Sequence, residues 1–257
     1  MSPDWGAEAW IWLLIGGFSA GVINVLAGNG SSITLGLLIF LGMPATAANL
    51  TNRVGVLVQT ATSVIALPRD ERTRRLLHDS RFYYIPGLLG STVGALLALR
   101  IDDDPMRILI GILMLVLFPT LFISNKIWNR ETDLGGPRKG TGLWIGFFLM
   151  GVYAGFLQMG IGLFMLVFFV LYSRYSLVES NILKLVMALV FTIPPFLIFA
   201  FDPRLVWPVG FTLAAGQALG ALIGVRYLIR LSWAKELIRW TLAVVLIVSA
   251  LRLFGVF

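Results

Sequence analysis

The chain has 257 residues, of which 58% are hydrophobic and 13% are charged, and its mean hydropathy is +0.88. These values lie far outside the soluble norm and indicate an integral membrane protein. The net charge of +7 does not indicate nucleic-acid binding, because the arginines concentrate in short loops, as on the cytoplasmic side of a membrane protein. With no cysteine and one histidine, His78, we expect no disulfide, no cysteine nucleophile, no metal site and no cofactor.

The first half of the chain begins with two apolar segments on either side of a glycine motif, at about 9–27 and 31–43. The second segment has 13 residues, which is too short to cross a bilayer, since a crossing takes roughly 20 helical residues. Three longer apolar runs follow, and each is long enough to span. They lie at about 45–67, 82–100 and 105–124.

The second half repeats this order, with a short pair followed by three long runs. The pair lies at about 142–159 and 161–173, and the runs lie at about 178–200, 205–228 and 234–254. We therefore predict a single membrane domain built from two repeats and a cytoplasmic linker. Repeat 1 covers 9–124, the linker 125–141 and repeat 2 142–257.

Matching motifs support the duplication. Gly28-Asn29-Gly30 in the first half corresponds to Gly160-Ile161-Gly162 in the second. The step from the last glycine of each motif to an asparagine, Asn49 or Asn181, is 19 residues in both halves. Further on, the Gly90 to Leu96 segment recurs as Gly216 to Leu222 with the same internal spacing, which is typical of small-residue contacts between membrane helices.

Each short pair is either one helix broken in the middle or a hairpin that returns to its starting side. The loop after residue 67 carries five arginines and is predicted to be cytoplasmic by the positive-inside rule. With hairpins, 14 of the 20 basic residues lie inside, whereas broken helices would move the group from Arg226 to Arg239 outside. We therefore predict hairpins, an external N-terminus and C-terminus, and a second repeat inverted relative to the first.

Two cations lie inside apolar segments, Arg53 in the first half and Lys184 in the second. Arg53 lies about eight residues into its helix, although snorkelling to the outer interface is the alternative. No acidic residue lies deep in a span, so a buried cation here implies a negative ligand or carbonyl neighbours. Side-chain amides lie close to both cations in the sequence: Asn49, Asn52, Gln59 and Asn181.

The first glycine motif also indicates an anion site. Ser31 or Ser32 is expected to cap the short helix that follows, which would leave backbone N–H groups and the positive end of its dipole near mid-membrane. Close packing of the glycines is the alternative explanation. The second motif lacks the serines, so its site is weaker or purely structural.

These residues resemble the sulfite exporter TauE/SafE family, which includes permeases for 4-toluenesulfonate uptake. The resemblance covers nearly the whole chain and implies a bacterial inner-membrane permease for sulfite, sulfonates or related anions. Asn29 departs from it, since a further glycine is common there in the family. The matching stretches are Gly17 to Gly21, Gly28 to Gly30, Ala48 to Arg53, Gly151 to Gly155, Gly160 to Gly162 and Asn181 to Lys184.

The sequence thus predicts an all-α membrane protein that is a secondary transporter of a small sulfur-containing anion and not an enzyme. Export is the favoured direction, and an anion channel or an uptake permease is the alternative. We expect the lipid bilayer and the anion as partners, and the sequence is compatible with a homo-oligomer. The predicted substrate-binding residues are Asn24, Gly28, Asn29, Gly30, Ser31, Ser32, Asn49, Asn52, Arg53, Gln59, Gln158, Gly160, Gly162, Asn181 and Lys184.

Overall fold

The structure is a computed structural model, and within the residues it describes the fold is entirely helical. The described residues are 5–120, 140–173 and 175–227, with single helical positions at 240, 247 and 251. The predicted run at 234–254 and most of the predicted linker at 125–141 therefore lie outside the described residues.

The helices match the predicted segments in order and in type, except that α4 lies in the predicted arginine-rich loop after residue 67. In the first half they are α1 (Ala7–Ala27), α2 (Ser31–Phe40), α3 (Ala45–Ile65), α4 (Glu71–Ser80), α5 (Tyr84–Leu99) and α6 (Asp103–Thr120), with a 3₁₀ turn (Arg81–Tyr83) before α5. In the second half they are α7 (Thr141–Phe156), α8 (Ile161–Val167), α9 (Leu177–Phe199) and α10 (Trp207–Arg226), with a π-helical turn (Phe168–Tyr172) after α8.

Four described segments are long and apolar enough to cross a membrane: α1, α4 to α5 taken together, α9 and α10. Helix α3 has a suitable length but is more polar. Its polar side chains, among them Asn49, Arg53 and Gln59, are buried inside the protein rather than turned to lipid. Because polar groups are costly in lipid, α3 occupies a central position and contacts both α9 and α10.

Both short pairs are hairpins, as predicted, and not broken helices. A Cβ atom on Gly16 of α1 would lie 2.5 Å from the Leu37 side chain of α2, so the two helices lie side by side. In the second half, a Cβ atom on Gly142 would lie 2.7 Å from the Tyr172 hydroxyl, beyond the end of α8. In a continuous broken helix these residues would be separated by more than 20 Å, since the rise is about 1.5 Å per residue.

Small residues pack the hairpin of each half against the other half. Helix α1 contacts α10, and α7 contacts α5, with glycines on both sides of each interface that bring the backbones close together. The facing glycines are Gly17 and Gly21 with Gly216 and Gly220, and Gly151 and Gly155 with Gly90 and Gly94. The repeated segments that begin at Gly90 and Gly216 therefore serve as packing surfaces.

The order of these contacts shows that the paired helices run in the same direction. Along α1, Phe18 lies against Gly220 and Val25 lies against Gly224, so both helices advance together. The same holds for α7, where the backbone of Phe148 lies against Gly90 and that of Val152 against Gly94. The two halves thus exchange equivalent contacts.

Candidate functional site

The tips of the two hairpins are in direct contact. The Gly162 backbone N–H donates a hydrogen bond to the Gly28 carbonyl at 3.2 Å, and a Cβ atom on Gly28 would lie 2.6 Å from the Gly162 Cα. Gly28 and Gly160 both adopt left-handed backbone conformations, with φ of 73° and 70°, which glycine reaches without a steric penalty. The two glycine motifs therefore end and restart the helices where the halves meet.

The predicted serine cap of α2 is wrong. The N-cap residue is Gly30, which has no side chain, and Ser31 and Ser32 are the first two residues of the helix itself. The Ser32 hydroxyl instead donates to the Asn29 side-chain oxygen at 2.5 Å. The serines are inside the helix because α2 begins directly after the motif, so a position before the helix is not available to them.

Arg53 is completely buried and binds the C-terminal end of α7, in the other half of the chain. One terminal nitrogen donates to the Ala154 carbonyl at 2.7 Å and to the Gln158 side chain, and the other donates to the Gly155 carbonyl at 3.1 Å. The guanidinium also lies 5.7 Å from the centre of the Phe199 ring, within cation–π distance. Arg53 does not snorkel to an interface.

Lys184 occupies the reciprocal position. Its ammonium group donates to the Val25 carbonyl at 2.8 Å and to the Asn24 carbonyl at 3.4 Å, in the last turn of α1. The side chain is only 1% exposed. Each cation thus caps the C-terminal end of the hairpin helix of the other half, where the helix dipole places partial negative charge. Both cations therefore have carbonyl neighbours, which is one of the two environments expected from the sequence.

Gln158, beside the contact between the hairpin tips (the hairpin junction), connects α3 of the first half to α9 of the second. Its side-chain oxygen accepts from Arg53, and its side-chain nitrogen donates to the Thr192 hydroxyl on α9 at 2.5 Å. Its backbone has φ of 61°, which is uncommon for a residue other than glycine and stores roughly 1–3 kcal/mol of strain. Strained residues of this kind persist where the surrounding structure holds them, often at ligand sites.

A polar cavity lies where the hairpin tips meet α3 and α9. Its volume is about 10 Å³, which is close to the space that one water molecule needs. An anion of several heavy atoms fits only if the tips separate. Five predicted site residues line the cavity, namely Asn24, Ser31, Gln158, Gly162 and Lys184.

Thr60 also lines this cavity and was not predicted from the sequence. It lies seven residues after Arg53 in α3, so both residues are on the same face of the helix. This seven-residue spacing from Arg53 is the sequence feature from which Thr60 could have been predicted. The opposite wall is formed by α9, where Leu185 and Ala188 accompany Lys184.

The other predicted amides lie around this centre. The Asn24 side chain donates to Gln59 at 2.9 Å, and Asn49 donates to the Phe156 carbonyl at 2.8 Å. Asn52 accepts from the Thr34 hydroxyl at 2.7 Å. Asn181 is partly exposed and has no hydrogen bond from its side chain within the described part of the chain. The predicted residues thus form one connected region, except for Asn181.

The comparison with known protein families covers nearly the whole chain. The family model of the sulfite exporter TauE/SafE matches residues 13–253. The chain belongs to the sulfite exporter TauE/SafE family. The matched segment includes both hairpins, both cations and the α1–α10 and α5–α7 interfaces.

Similar proteins in this family are named as membrane transporters. A probable membrane transporter protein of Haemophilus influenzae is 28% identical over 236 residues, which are 92% of this chain and 91% of the relative. The probable membrane transporter protein YfcA of Escherichia coli K12 is 26% identical over 237 residues, 91% of this chain and 85% of the relative. A probable membrane transporter protein ORF9 of a Sinorhizobium species is 24% identical over 246 residues, 95% and 91% of the two chains.

No solved structure matches the chain significantly. The family and these relatives identify a multi-pass membrane transporter rather than an enzyme. In the described part of the chain, no group of three or more acidic or histidine side chains could hold a metal ion.

Proposed function

We propose that this chain is a secondary transporter that moves a small sulfur-containing anion, such as sulfite or an organosulfonate, by alternating access between two inverted repeats. The observation that carries the proposal is the contact between the hairpin tips, where a buried lysine and several polar side chains line a small cavity between the two halves. An anion is the ligand that a buried cation without a carboxylate partner attracts.

The helix directions support the inverted arrangement of the repeats. Helix α1 runs parallel to α10, and α7 runs parallel to α5, as the glycine contacts indicate. The first helix of each half therefore packs on a helix of the other half: α1 packs on α10, and α7 packs on α5. Transporters built from inverted repeats place their substrate between the repeats near the membrane midplane, where helices that end or are interrupted within the membrane form the site.

The two cations have different roles in this proposal. Arg53 has three acceptors on α7 and the segment after it, so its contacts hold the halves together. Lys184 has two carbonyl acceptors and lies on the cavity wall, so its ammonium group is the charge that meets the anion. Gln158 and Ser31 supply hydrogen bonds from the two hairpins.

The family description and the membrane potential support export. For an uncoupled carrier in an interior-negative cell, outward movement of one negative charge is favoured by about 2.3 kcal/mol per 100 mV. In this proposal the protein lies in the bacterial inner membrane. The arginine-rich segment around α4 faces the cytoplasm and both termini face outward, in accordance with the positive-inside rule. Vesicles with an imposed potential of either sign test this direction with labelled sulfite.

The proposal is tested by transport of labelled sulfite into proteoliposomes containing the wild type, K184M or K184R. We expect K184M to reduce flux at least tenfold, because a hydrogen bond to a charged group contributes about 1.5–3 kcal/mol. K184R keeps the charge and is expected to retain more flux than K184M. The control is R75Q, which removes an exposed arginine paired with Glu71 on α4.

The thermal stability of each variant separates a transport defect from misfolding. Flux in a well-folded K184M protein equal to that of the wild type would remove Lys184 from the substrate site. A channel would use the same pore residues. The small volume of the cavity, about that of one water, favours a carrier over an open pore. Electrical recording distinguishes a carrier from a channel, because a channel passes many ions per opening.

A further inference from the structure

A groove lies at the corner between the end of α3 and α4, away from the hairpin junction. Its volume is about 270 Å³, which approaches the lower end of the roughly 300–1,000 Å³ of small-molecule sites. The apolar floor includes Ile65, Leu67 and Leu77, and two arginines, Arg69 and Arg74, form its rim. The groove thus combines an apolar surface with adjacent positive charge.

The two rim arginines differ in their partners from Arg72 and Arg75, which lie on α4. Arg72 pairs with Glu179 at 3.0 Å, and Arg75 pairs with Glu71 at 2.6 Å. Neither Arg69 nor Arg74 has a carboxylate within ion-pair distance in the described ranges of the chain, and both are exposed. Two unpaired guanidinium groups therefore border the groove.

In the orientation proposed above, the groove lies at the cytoplasmic end of α3. Helix α3 reaches Ile65, whose side chain is 71% exposed, and the charged helix α4 begins six residues later. Helix α4 buries Thr73, Leu76 and Ser80 against the protein and exposes its arginines on the other side. This charged helix precedes the apolar residues of α5 in one segment, so in the proposed orientation it forms the cytoplasmic end of that span.

We propose that this groove binds an anionic phospholipid. Arg69 and Arg74 bind the phosphate oxygens, for which the arginine fork is well suited, and the first part of an acyl chain lies on Ile65, Leu67 and Leu77. The apolar floor favours a lipid over a free oxyanion, since a free oxyanion gains nothing from apolar contact. The unpaired charges favour an anionic headgroup over a zwitterionic one.

The test uses purified full-length protein in detergent micelles, to which dioleoylphosphatidylglycerol, dioleoylphosphatidylcholine or inorganic phosphate is added. A ligand that binds the native state raises the unfolding temperature in a concentration-dependent way. We expect stabilisation by phosphatidylglycerol and little by phosphatidylcholine or phosphate. Each rim arginine contributes about a fivefold gain in lipid affinity. R69Q/R74Q is therefore expected to raise the lipid concentration at half-saturation about 25-fold.

The matched control for R74Q is R75Q, which removes one positive charge from α4 but none from the groove. We expect R75Q to bind phosphatidylglycerol within about twofold of the wild type, as surface pairs contribute little. The single variants R69Q and R74Q replace the double variant if it does not fold. Wild-type affinity in the rim variants, an equal loss in R75Q, or equal stabilisation by inorganic phosphate would each overturn the proposal.

Discussion

The contact between the hairpin tips leads to a prediction about Gly28. Its backbone is left-handed, with φ of 73°, and a Cβ atom there would lie 2.6 Å from both the Gly162 Cα and its carbonyl carbon. The replacement G28A therefore has two separate costs. It places an alanine in a conformation that L-residues avoid, and it pushes the tip of the second hairpin away.

The size of each cost follows from the structure. A left-handed alanine costs about 1–2 kcal/mol, and overpacking against a backbone that cannot move aside costs about 1–3 kcal/mol more. We therefore expect G28A to lower the free energy of unfolding by about 2–5 kcal/mol. Gly42 provides a control, because its φ is 86° but a Cβ atom there would meet nothing within 4 Å. G42A should cost only about 1–2 kcal/mol.

The assay is denaturant-induced unfolding of G28A, G42A and wild type in the same detergent, together with anion flux in proteoliposomes. We expect G28A to lose more stability than G42A by about 1–3 kcal/mol and to transport more slowly. If the two variants lose the same stability, the tips are not in contact in the folded protein, and the argument from the junction fails.

Three further predictions concern the cation caps, the cavity wall and a partly buried ion pair. R53K should lower the free energy of unfolding by about 1.5–3 kcal/mol, measured by the same denaturant titration, because lysine cannot reach all three acceptors of Arg53; equal stability of the two proteins would contradict the capping role. T60V should weaken anion binding about 2- to 12-fold, measured by calorimetry, because the cavity loses one hydroxyl; unchanged affinity would exclude Thr60 from the site. The hydrogen bonds from Arg204 lower the pKa of Asp202, so its stabilising contribution is present above about pH 4 and is lost as pH falls through the lowered pKa. The stability difference between wild type and D202N, measured by thermal unfolding, should therefore shrink below pH 4, and a constant difference would refute this.

The helical segments and the hairpins could be predicted because their signals lie in the sequence itself. Apolar run length decides which segments span, and loop charge decided between hairpin and broken helix at both glycine motifs. Burial of Arg53 and Lys184 was also predictable, because each lies several residues inside an apolar helix that carries no acidic residue deep in its span. These features depend on local composition.

The partners of the cations could not be predicted. Arg53 and Lys184 bind main-chain carbonyls of the opposite half, and a carbonyl belongs to every residue, so it leaves no side-chain signal. The same applies to Gln217, which lies in the Gly216 to Leu222 segment that predicts helix packing. Its side chain is buried beside Gly55, and neither of its amide atoms has a hydrogen-bond partner within the described residues. Only the three-dimensional packing reveals such environments.

The reciprocal caps restrict how the halves can move. If one hairpin withdrew alone, the cation of the opposite half would face a low-dielectric interior without acceptors, and leaving a buried charge uncompensated costs about 3–5 kcal/mol. Concerted displacement of both hairpins, or arrival of an anion as a replacement acceptor, avoids this penalty. Passive leakage through a half-opened junction is therefore disfavoured by the two cations that cap the hairpin helices.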